Sequence, residues 1–487
     1  MEAPTLDLDL CYRALCARDA RFDGRFFVGV STTGIYCRPI CPARTPRRER
    51  CDFFRSAAAA ERAGYRPCLR CRPELAPGAA PVDAGSRIAA AVLARIEAGA
   101  LNDGGLEELA RELGVSSRHL RRAVAHEYGV APVQLAQTQR LLLAKRLLTD
   151  TPLKVADVAY ASGFSSLRRF NHLFRTRYRL SPTQLRRRLT EPKGATLALK
   201  LAYRPPLDWD ALIAFLVGRG ADGVEAREGH RYLRGLHLGD RRGWIVAEPI
   251  AHEAALRVTV AESLLPVLPV LLARLRALFD LDANPQAIHE HLGADVRLRG
   301  ALARRPGLRV PGACDGFELA LRAVLGQRIS VRAATTLFGR FAQLYGDPLR
   351  TPFPAITCTG PRAERIAEDK PQRIAALGLR RAQAHTVRAL ARATAEGRLR
   401  LIPDAPRQET LAGLMALPGI GEWTAQYVAM RALRDADAFP ASDLGVLRAL
   451  GLRKAQDARA RAEAWRPWRA YAAMHLWQDY GPRSDGA

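Results

Sequence analysis

Lysine is nearly missing from this 487-residue chain, and arginine supplies almost all of the 75 basic residues that face only 49 acidic ones. The formal net charge is +26. That balance excludes an acidic, solvating chain and points to a polyanionic partner. An arginine-rich genome would raise the count as well, so charge alone names no function. The opening Met1-Glu2-Ala3-Pro4 lacks the basic stretch and apolar run of an export signal, and a cytoplasmic protein is expected. Long apolar runs are missing too. The longest, around 211–217 and 264–272, fall short of the roughly 20 residues a bilayer requires, so no membrane partner is expected. Without export, nine cysteines argue for thiols and metal rather than disulfides.

What is present fills several domains. Apolar content of 48% suffices for globular packing, and the length exceeds one ordinary core. The basic excess is +4 over residues 1–85, +10 over 86–190 and +12 over 191–487, which suits nucleic acid. Residues 1–75 are punctuated by cysteine, glycine and proline, with a strand expected over 28–31 and a helix over 57–63. Prolines 73, 77 and 81 make 73–86 a linker. From Arg87 the pattern is helical, with no strand until about residue 195, past a boundary at Pro192-Lys193-Gly194. Strands are expected over 196–203, 243–248 and 255–260, with helices over 210–219 and 264–278. Beyond Asn284-Pro285 the chain reads as helices and short loops. The fold class is multidomain, mainly α with α+β parts. A small four-cysteine domain spans 1–78, an all-α domain 86–190, a mixed α/β subdomain 195–283 and an all-α domain 284–487.

Four cysteines stand as two close pairs, Cys37-Arg-Pro-Ile-Cys41 and Cys68-Leu-Arg-Cys71, with 26 residues between them. Such pairs suit one Zn2+ held tetrahedrally by four thiolates. A closed shell of this kind is ordinarily structural. The flanking Thr33-Gly34-Ile35-Tyr36 and Gly64-Tyr65-Arg66-Pro67, however, resemble the N-terminal domain of the Ada adaptive-response family. The resemblance implies that Cys37 irreversibly takes a methyl group from a DNA phosphotriester while Cys41, Cys68 and Cys71 complete the shell. Zinc with four thiolates carries two formal negative charges, and methylation leaves one, which should ease approach to phosphate. Cys51 has no counterpart, and Cys11 and Cys16 are expected to be free thiols. The Pro-Cys-His-Arg site of the domain that ends Ada proteins is absent; neither Cys314-Asp315 nor Cys358-Thr359 supplies it. Repair of O6-methylguanine is therefore not expected.

Residues 106–125 and 155–176 read as two copies of one unit. In each, a short apolar-periodic helix ends at a glycine, Gly114 or Gly163, and a serine pair caps the next helix. In the second copy Phe170, Leu173 and Phe174 recur at core spacing, which leaves Ser166, Arg168, Arg169 and His172 facing outward; Arg118 and Arg121 hold the matching places in the first. With Gly163-Phe164-Ser165-Ser166 and Leu180-Ser181-Pro182, the pair resembles the tandem helix-turn-helix of AraC-type regulators. The resemblance implies major-groove reading of an operator, with RNA polymerase as a further candidate partner.

In the C-terminal half, Leu417-Pro418-Gly419-Ile420-Gly421 separates two expected helices, 408–416 and 423–433. A Gly-x-Gly hairpin at a helix N-terminus offers backbone N–H groups to one phosphate, so Leu417, Gly419, Gly421 and Thr424 are candidate DNA contacts. Asp443 follows 20 residues beyond Trp423. Hairpin plus downstream Asp resembles the helix-hairpin-helix DNA glycosylases. Ala323-Val324-Leu325-Gly326-Gln327-Arg328-Ile329-Ser330-Val331 and Trp465-Arg466-Pro467-Trp468 narrow the likeness to AlkA-type 3-methyladenine glycosylases. An alkylated purine already carries positive charge and leaves without a general acid. The resemblance therefore assigns Asp443 to the stabilisation of the oxocarbenium-like sugar. It assigns Phe215, Trp423, Tyr427 and Trp477 to the aromatic base pocket, where cation–π attraction favours an electron-poor base. Lyase-competent relatives carry lysine at the Trp423 position, so release of the base without strand cleavage is expected. Arg328 stands where the family has an apolar wedge. Two functional classes follow: an alkylation-damage enzyme joined to a regulator, in the cytoplasm on double-stranded DNA at the nucleoid, or a DNA-binding regulator with an inactive glycosylase half.

Overall fold

The protein is seen as a computed structural model that describes residues 6–78, 86–187, 197–327, 329–403 and 405–480. Packing divides the chain into two compact units. The first comprises Met1–Pro205, Ile250–Ala273 and Leu281–Ala283; the second comprises Pro206–Pro249, Arg274–Asp280 and Asn284–Ala487.

The first unit opens on the helix Leu8–Cys16, capped by Asp7, whose carboxylate accepts from the Asp9 and Leu10 N–H groups. Four short strands follow: β1 (Phe27–Val30), β2 (Ile35–Cys37), β3 (Cys51–Phe54) and β4 (Arg66–Pro67). They form one sheet in the order β3-β1-β2-β4, with β2 parallel to β4 and the other pairs antiparallel. Only β1 is legible as a strand in the sequence. β2 and β4, of three and two residues, are too short for a period-2 pattern to emerge. Register matters for the metal centre: Tyr36 pairs with Pro67, so parallel β2 and β4 deliver Cys37 and Cys68 to the same end. The expected helix appears as Ala57–Arg62, capped by Ser56.

Seven helices complete the all-α part: Arg87–Glu97, Leu106–Glu112, Ser117–Tyr128, Pro132–Asp150, Val155–Ala161, Leu167–Tyr178 and Pro182–Arg187, besides the single turn Ala100–Asp103. Ser116 and Ser166 cap the second helix of each copy through their hydroxyls. The 19-residue helix Pro132–Asp150 joins the copies and buries residues on several faces, Lys145 and Arg146 among them. Leu173 is half-buried rather than core.

The expected linker is a correction in its first part. Pro73–Leu75 forms a 3-10 turn in which Glu74 pairs with Arg72 (2.9 Å) and with the buried Lys145. Residues 79–85 and the Pro192-Lys193-Gly194 boundary lie outside the described residues.

Five further strands are β5 (Ala198–Ala202), β6 (Glu225–Glu228), β7 (Arg231–Leu238), β8 (Arg241–Pro249) and β9 (Ala255–Val260). In the first unit β5 runs antiparallel to β9. In the second, β6, β7 and β8 form an antiparallel meander, of which only β8 was expected. The expected helix over 264–278 begins as a 3-10 segment, Glu262–Val267, before Leu268–Leu278, because Pro266 and Pro269 cannot donate backbone hydrogen bonds.

The core of the second unit gathers around the helix Gly316–Leu325. Its Phe317, Leu321 and Val324 cluster with Phe338, Phe341, Val387, Leu390 and Val428. Arg234 bridges Glu225 (2.7 Å) and Glu318 (2.6 Å), and Arg322 returns to Glu318 (2.6 Å). Buried charges of this kind persist only when paired, so the network fixes this helix against β6 and β7.

Candidate active site and metal centre

The hairpin Leu417–Gly421 lies between the helices Arg407–Met415 and Glu422–Arg431. Gly419 has φ +80°, and a Cβ there would meet the Thr386 hydroxyl at 2.5 Å, so glycine is required on both counts. At Gly421 nothing lies within 4 Å of a would-be Cβ. Gly421 caps its helix without a side-chain hydrogen bond, which leaves first-turn N–H groups free for an outside acceptor. Gln327 donates from Nε2 to the Gly419 carbonyl (3.1 Å) and to Thr424 Oγ1 (3.1 Å), tying the segment after Leu325 to the hairpin.

Asp443 caps the helix Leu444–Leu450. Its Oδ1 accepts from the Val446 N–H (3.0 Å) and from Trp477 Nε1 (2.8 Å); its Oδ2 accepts from Trp423 Nε1 (2.9 Å). A carboxylate can accept about four hydrogen bonds, and three are taken here. Both aromatic donors therefore fix the orientation of the charge. A side chain at position 445 would come within 3.2 Å of Trp477 Cδ1 and 3.0 Å of Asp443 Oδ1; Gly445 is what lets that indole reach the acid.

Tyr427 lies one turn along the helix from Trp423, and their rings stack at 5.4 Å between centroids and 11° between planes. Trp477 lies 6.2 Å from Tyr427 at 50°. Arg431 donates to the Tyr427 hydroxyl (2.7 Å) and to the Pro311 and Gly312 carbonyls (2.7 and 3.0 Å). Its guanidinium sits 5.0 Å from the Phe215 ring. Arg219 covers Phe215 more closely, at 3.8 Å. Burial would push the Tyr427 phenol up, but Arg431 and Arg219 outweigh it and hold the phenol below its usual range. Burial lowers Arg219, and Arg431 adds to that, while Tyr427 and Asp443 oppose it. The structure thus brings Asp443, Trp423, Tyr427 and Trp477 into one constellation, and Arg431 links Phe215 to it.

In the first unit the Sγ atoms of Cys37, Cys41, Cys68 and Cys71 all lie within 4.8 Å of one another. That spacing fits a tetrahedron built on Zn–S bonds of about 2.3 Å. Backbone N–H groups of Arg38 and Arg70 donate to Cys71 Sγ and Cys68 Sγ, each at 3.3 Å, as expected around sulfurs that carry charge. Arg38 is itself buried, donates from Nε to Asp23 (2.8 Å) and from Nη1 to the Cys71 carbonyl (3.1 Å), and so fixes the loop that follows Cys37. Cys37 is half-buried, whereas the other three are buried.

Four family models cover most of the chain. The metal binding domain of Ada matches residues 10–74, a helix-turn-helix domain 109–188, the AlkA N-terminal domain 198–315, and the HhH-GPD superfamily of base excision DNA repair proteins 321–470. A Mycobacterium tuberculosis protein named "Probable bifunctional transcriptional activator/DNA repair enzyme AlkA" is 39% identical over 481 residues, covering 97% of this chain and 96% of its own length. The chain belongs to this bifunctional AlkA family. It joins a zinc-binding Ada domain and a helix-turn-helix to a DNA glycosylase domain of the helix-hairpin-helix superfamily, and DNA is its partner.

Each half of the AlkA-family chain has separate relatives. DNA-3-methyladenine glycosylase 2 of Escherichia coli is 38% identical over 288 residues, 59% of this chain and 99% of that protein. The bifunctional transcriptional activator/DNA repair enzyme Ada of the same organism is 47% identical over 75 residues, 15% of this chain and 21% of that protein. The fold of the glycosylase half matches the 3-methyladenine DNA glycosylase of Archaeoglobus fulgidus, with a TM-score of 0.52 at 22% identity over 59% of this chain and 99% of that one.

Arg118, Arg121, Arg168, Arg169 and His172 are exposed on the second helices of the two copies, and Ser166 is a cap. Arg328 lies outside the described residues. Among the described residues no helix is long and apolar enough to cross a membrane. Sequence reasoning missed Arg219, Arg431, Gln327 and Gly445. Gly445 alone carried a local signal, as a glycine in the first turn of a helix, where it lowers stability.

Proposed function

We propose that this chain excises alkylated purines such as 3-methyladenine by hydrolysis of the N-glycosyl bond, and that its zinc domain records DNA methylphosphotriesters on Cys37. One observation carries the first part: Asp443 is held by two indole N–H donors that belong to the aromatic constellation itself. An extruded base lies against Trp423, Tyr427 and Trp477. The first-turn N–H groups after the hairpin, that of Thr424 among them, grip the backbone beside it, with Leu417 packed beneath; the Thr424 side chain is buried and bonded to Gln327. Asp443 then opposes the positive charge that develops at C1′ as the base departs, and water completes the reaction there. Trp423 offers no amine to the sugar, so the strand stays intact. Arg219 and Arg431 place positive charge behind the aromatic rings, with both guanidinium groups against the Phe215 ring.

The place of Cys37 in Tyr36-Cys37-Arg38-Pro39, within the stretch that matches the metal binding domain of Ada, supports the second part. Cys37, Cys41, Cys68 and Cys71 would hold the zinc, which would keep the Cys37 sulfur deprotonated at neutral pH. The Cys37 sulfur attacks the methyl carbon of a phosphotriester, the S–CH3 bond forms as the O–CH3 bond breaks, and the electron pair stays on phosphate as a diester anion. The cluster then repels DNA less. The helix-turn-helix pair, with Arg118, Arg121, Arg168, Arg169 and His172 on its surface, binds an operator more tightly and recruits RNA polymerase in the cytoplasm at the nucleoid. A base-release assay on methylated duplex tests the enzyme reading: free 3-methyladenine from the wild-type chain supports it. A chain that binds the duplex but releases nothing returns the account to a DNA-binding regulator alone.

A further inference from the structure

The zinc domain does more than adjoin the helix-turn-helix pair; one short helix of it touches both of its reading helices. Ser56, the cap of Ala57–Arg62, donates from Oγ to the carbonyl of Tyr128 (2.8 Å), the last residue of Ser117–Tyr128. Next to this bond, Ala58 packs in one cluster with Leu120 and Val124 of that same helix. Five residues after Ser56, the Glu61 carbonyl accepts from Arg177 Nη1 (3.0 Å). Arg177 stands in the last turn of Leu167–Tyr178, the second helix of the other copy. The C-terminal ends of both reading helices are thus fastened to six residues of a different domain.

The Glu61 side chain fixes that fastening from inside. It is 3% exposed. Its Oε1 accepts from the Tyr36 hydroxyl (3.1 Å) and its Oε2 from Thr138 Oγ1 (2.9 Å). Tyr36 belongs to β2, immediately before Cys37, and Thr138 to the helix that joins the two copies. One carboxylate therefore ties the zinc sheet to the joining helix while its own carbonyl holds the second reading helix. Leu142 of the joining helix packs with Tyr36, Ala57 and Ala60. A second anchor lies farther along: Lys145 Nζ donates to the Cys68 carbonyl (3.4 Å), and Arg72 reaches Asp150 (2.7 Å) and Thr149 (2.7 Å). Buried polar groups that bond to one another hold one arrangement against alternatives, since any other leaves more of them unsatisfied.

We propose that the helix Ala57–Arg62 is a yoke that sets the separation of the two reading helices, with Glu61 as the positioning residue, so that the unit binds DNA whose two blocks of contacts stand at one spacing. The idea rests on DNA reading by the helix-turn-helix pair and is independent of methyl transfer and of base excision. Two helix-turn-helix modules in one chain gain from each other only while their separation matches the groove.

The test uses the full zinc-loaded chain and a pool of randomised duplexes. Wild-type protein should select two blocks at a fixed separation. Inserting about five base pairs, half a helical turn, between the blocks should weaken its binding about a hundredfold, the scale of avidity lost when two modules cannot engage together. For Glu61→Ala the same insertion should cost no more than about tenfold, because the modules can now adjust. Glu61→Gln should restore the full penalty, since an amide can still bond to both hydroxyls. Should Glu61→Ala lose its zinc or its helical content, the paired replacement Ser56→Ala with Arg177→Met removes both hydrogen bonds to the reading helices, leaving only the Ala58 packing, and should relax the penalty likewise. A spacing penalty in the folded variants equal to that of the wild type overturns the yoke. Wild-type protein that selects a single block also overturns it, and selection of no motif overturns operator reading along with it.

Discussion

Replacing Asp443 by Asn separates the charge of this side chain from its shape. The amide keeps one oxygen, which can still accept from one indole and from the Val446 N–H, but it turns an NH2 group toward an indole N–H that now donates to a carboxylate oxygen. One charge-assisted hydrogen bond is lost and a donor faces a donor, costing about 1–3 kcal/mol of stability. The larger loss falls on the reaction. A carboxylate about 4 Å from a developing cation is worth about 4 kcal/mol at an effective dielectric constant near 20, or close to a thousandfold in rate. We expect kcat for release of 3-methyladenine to fall about a thousandfold under single-turnover conditions. Affinity for the duplex should stay within about threefold, because the phosphate contacts lie on the hairpin. Activity within about tenfold of wild type, only ~1.4 kcal/mol of barrier, would refute the assignment and send the search to another group. Strand-cleavage products from either protein would contradict the argument from Trp423.

Trp477→Phe keeps an aromatic ring beside Tyr427 but removes the N–H that donates to Asp443 Oδ1; kcat should fall roughly tenfold, the scale of one hydrogen bond to a charged acceptor, with KM little changed. Metal analysis should find one zinc per chain, and joint replacement of Cys68 and Cys71 by Ala should lose it; zinc retained in full by that variant would exclude the four-cysteine shell. Burial pushes the Glu61 carboxyl up to about 7 from 4.5, against the opposing hydrogen bonds of Thr138 and Tyr36 and the charges of Arg177 and Lys145, with Tyr178 also facing it. The folded state thus holds this proton more tightly than the unfolded one, so the stabilisation is complete below about pH 4.5 and is lost as pH rises through about 7. Urea unfolding of wild type relative to Glu61→Gln should show a decline on the order of 3 kcal/mol across that window, and parallel pH curves would remove Glu61 as its source.

The chemistry-bearing residues were the most legible part of this chain, because each is bound to a fixed spacing. Two cysteine pairs identify a metal shell wherever the sheet puts them, and a hairpin followed by an acid identifies the glycosylase half. Helices with one apolar face were legible for the same reason: Leu106–Glu112 and Val155–Ala161 each stop two residues before the glycine that marks the turn. What stayed hidden depends on partners distant in sequence. The strands β2, β3 and β4 are two to four residues long and become strands only by pairing in the sheet, β2 and β3 on either side of β1 and β4 on β2. The stretch at Pro73 has the composition of a linker, yet Glu74 is fixed by Lys145, 71 residues away. The two indole donors to Asp443 lie 20 and 34 residues from it in opposite directions. Nothing local to Trp423 or Trp477 announces that a pocket aromatic also orients the acid.

One incubation tests the account as a whole. The zinc-loaded chain is mixed with methylated duplex, the supernatant is analysed for free base, and the protein is digested for mass spectrometry. The account predicts free 3-methyladenine together with a single S-methylcysteine at Cys37, and a Cys37→Ser protein that still releases base. Methylation at Cys41, at Cys51 or at no cysteine would contradict the acceptor assignment, and an unchanged supernatant would contradict the glycosylase.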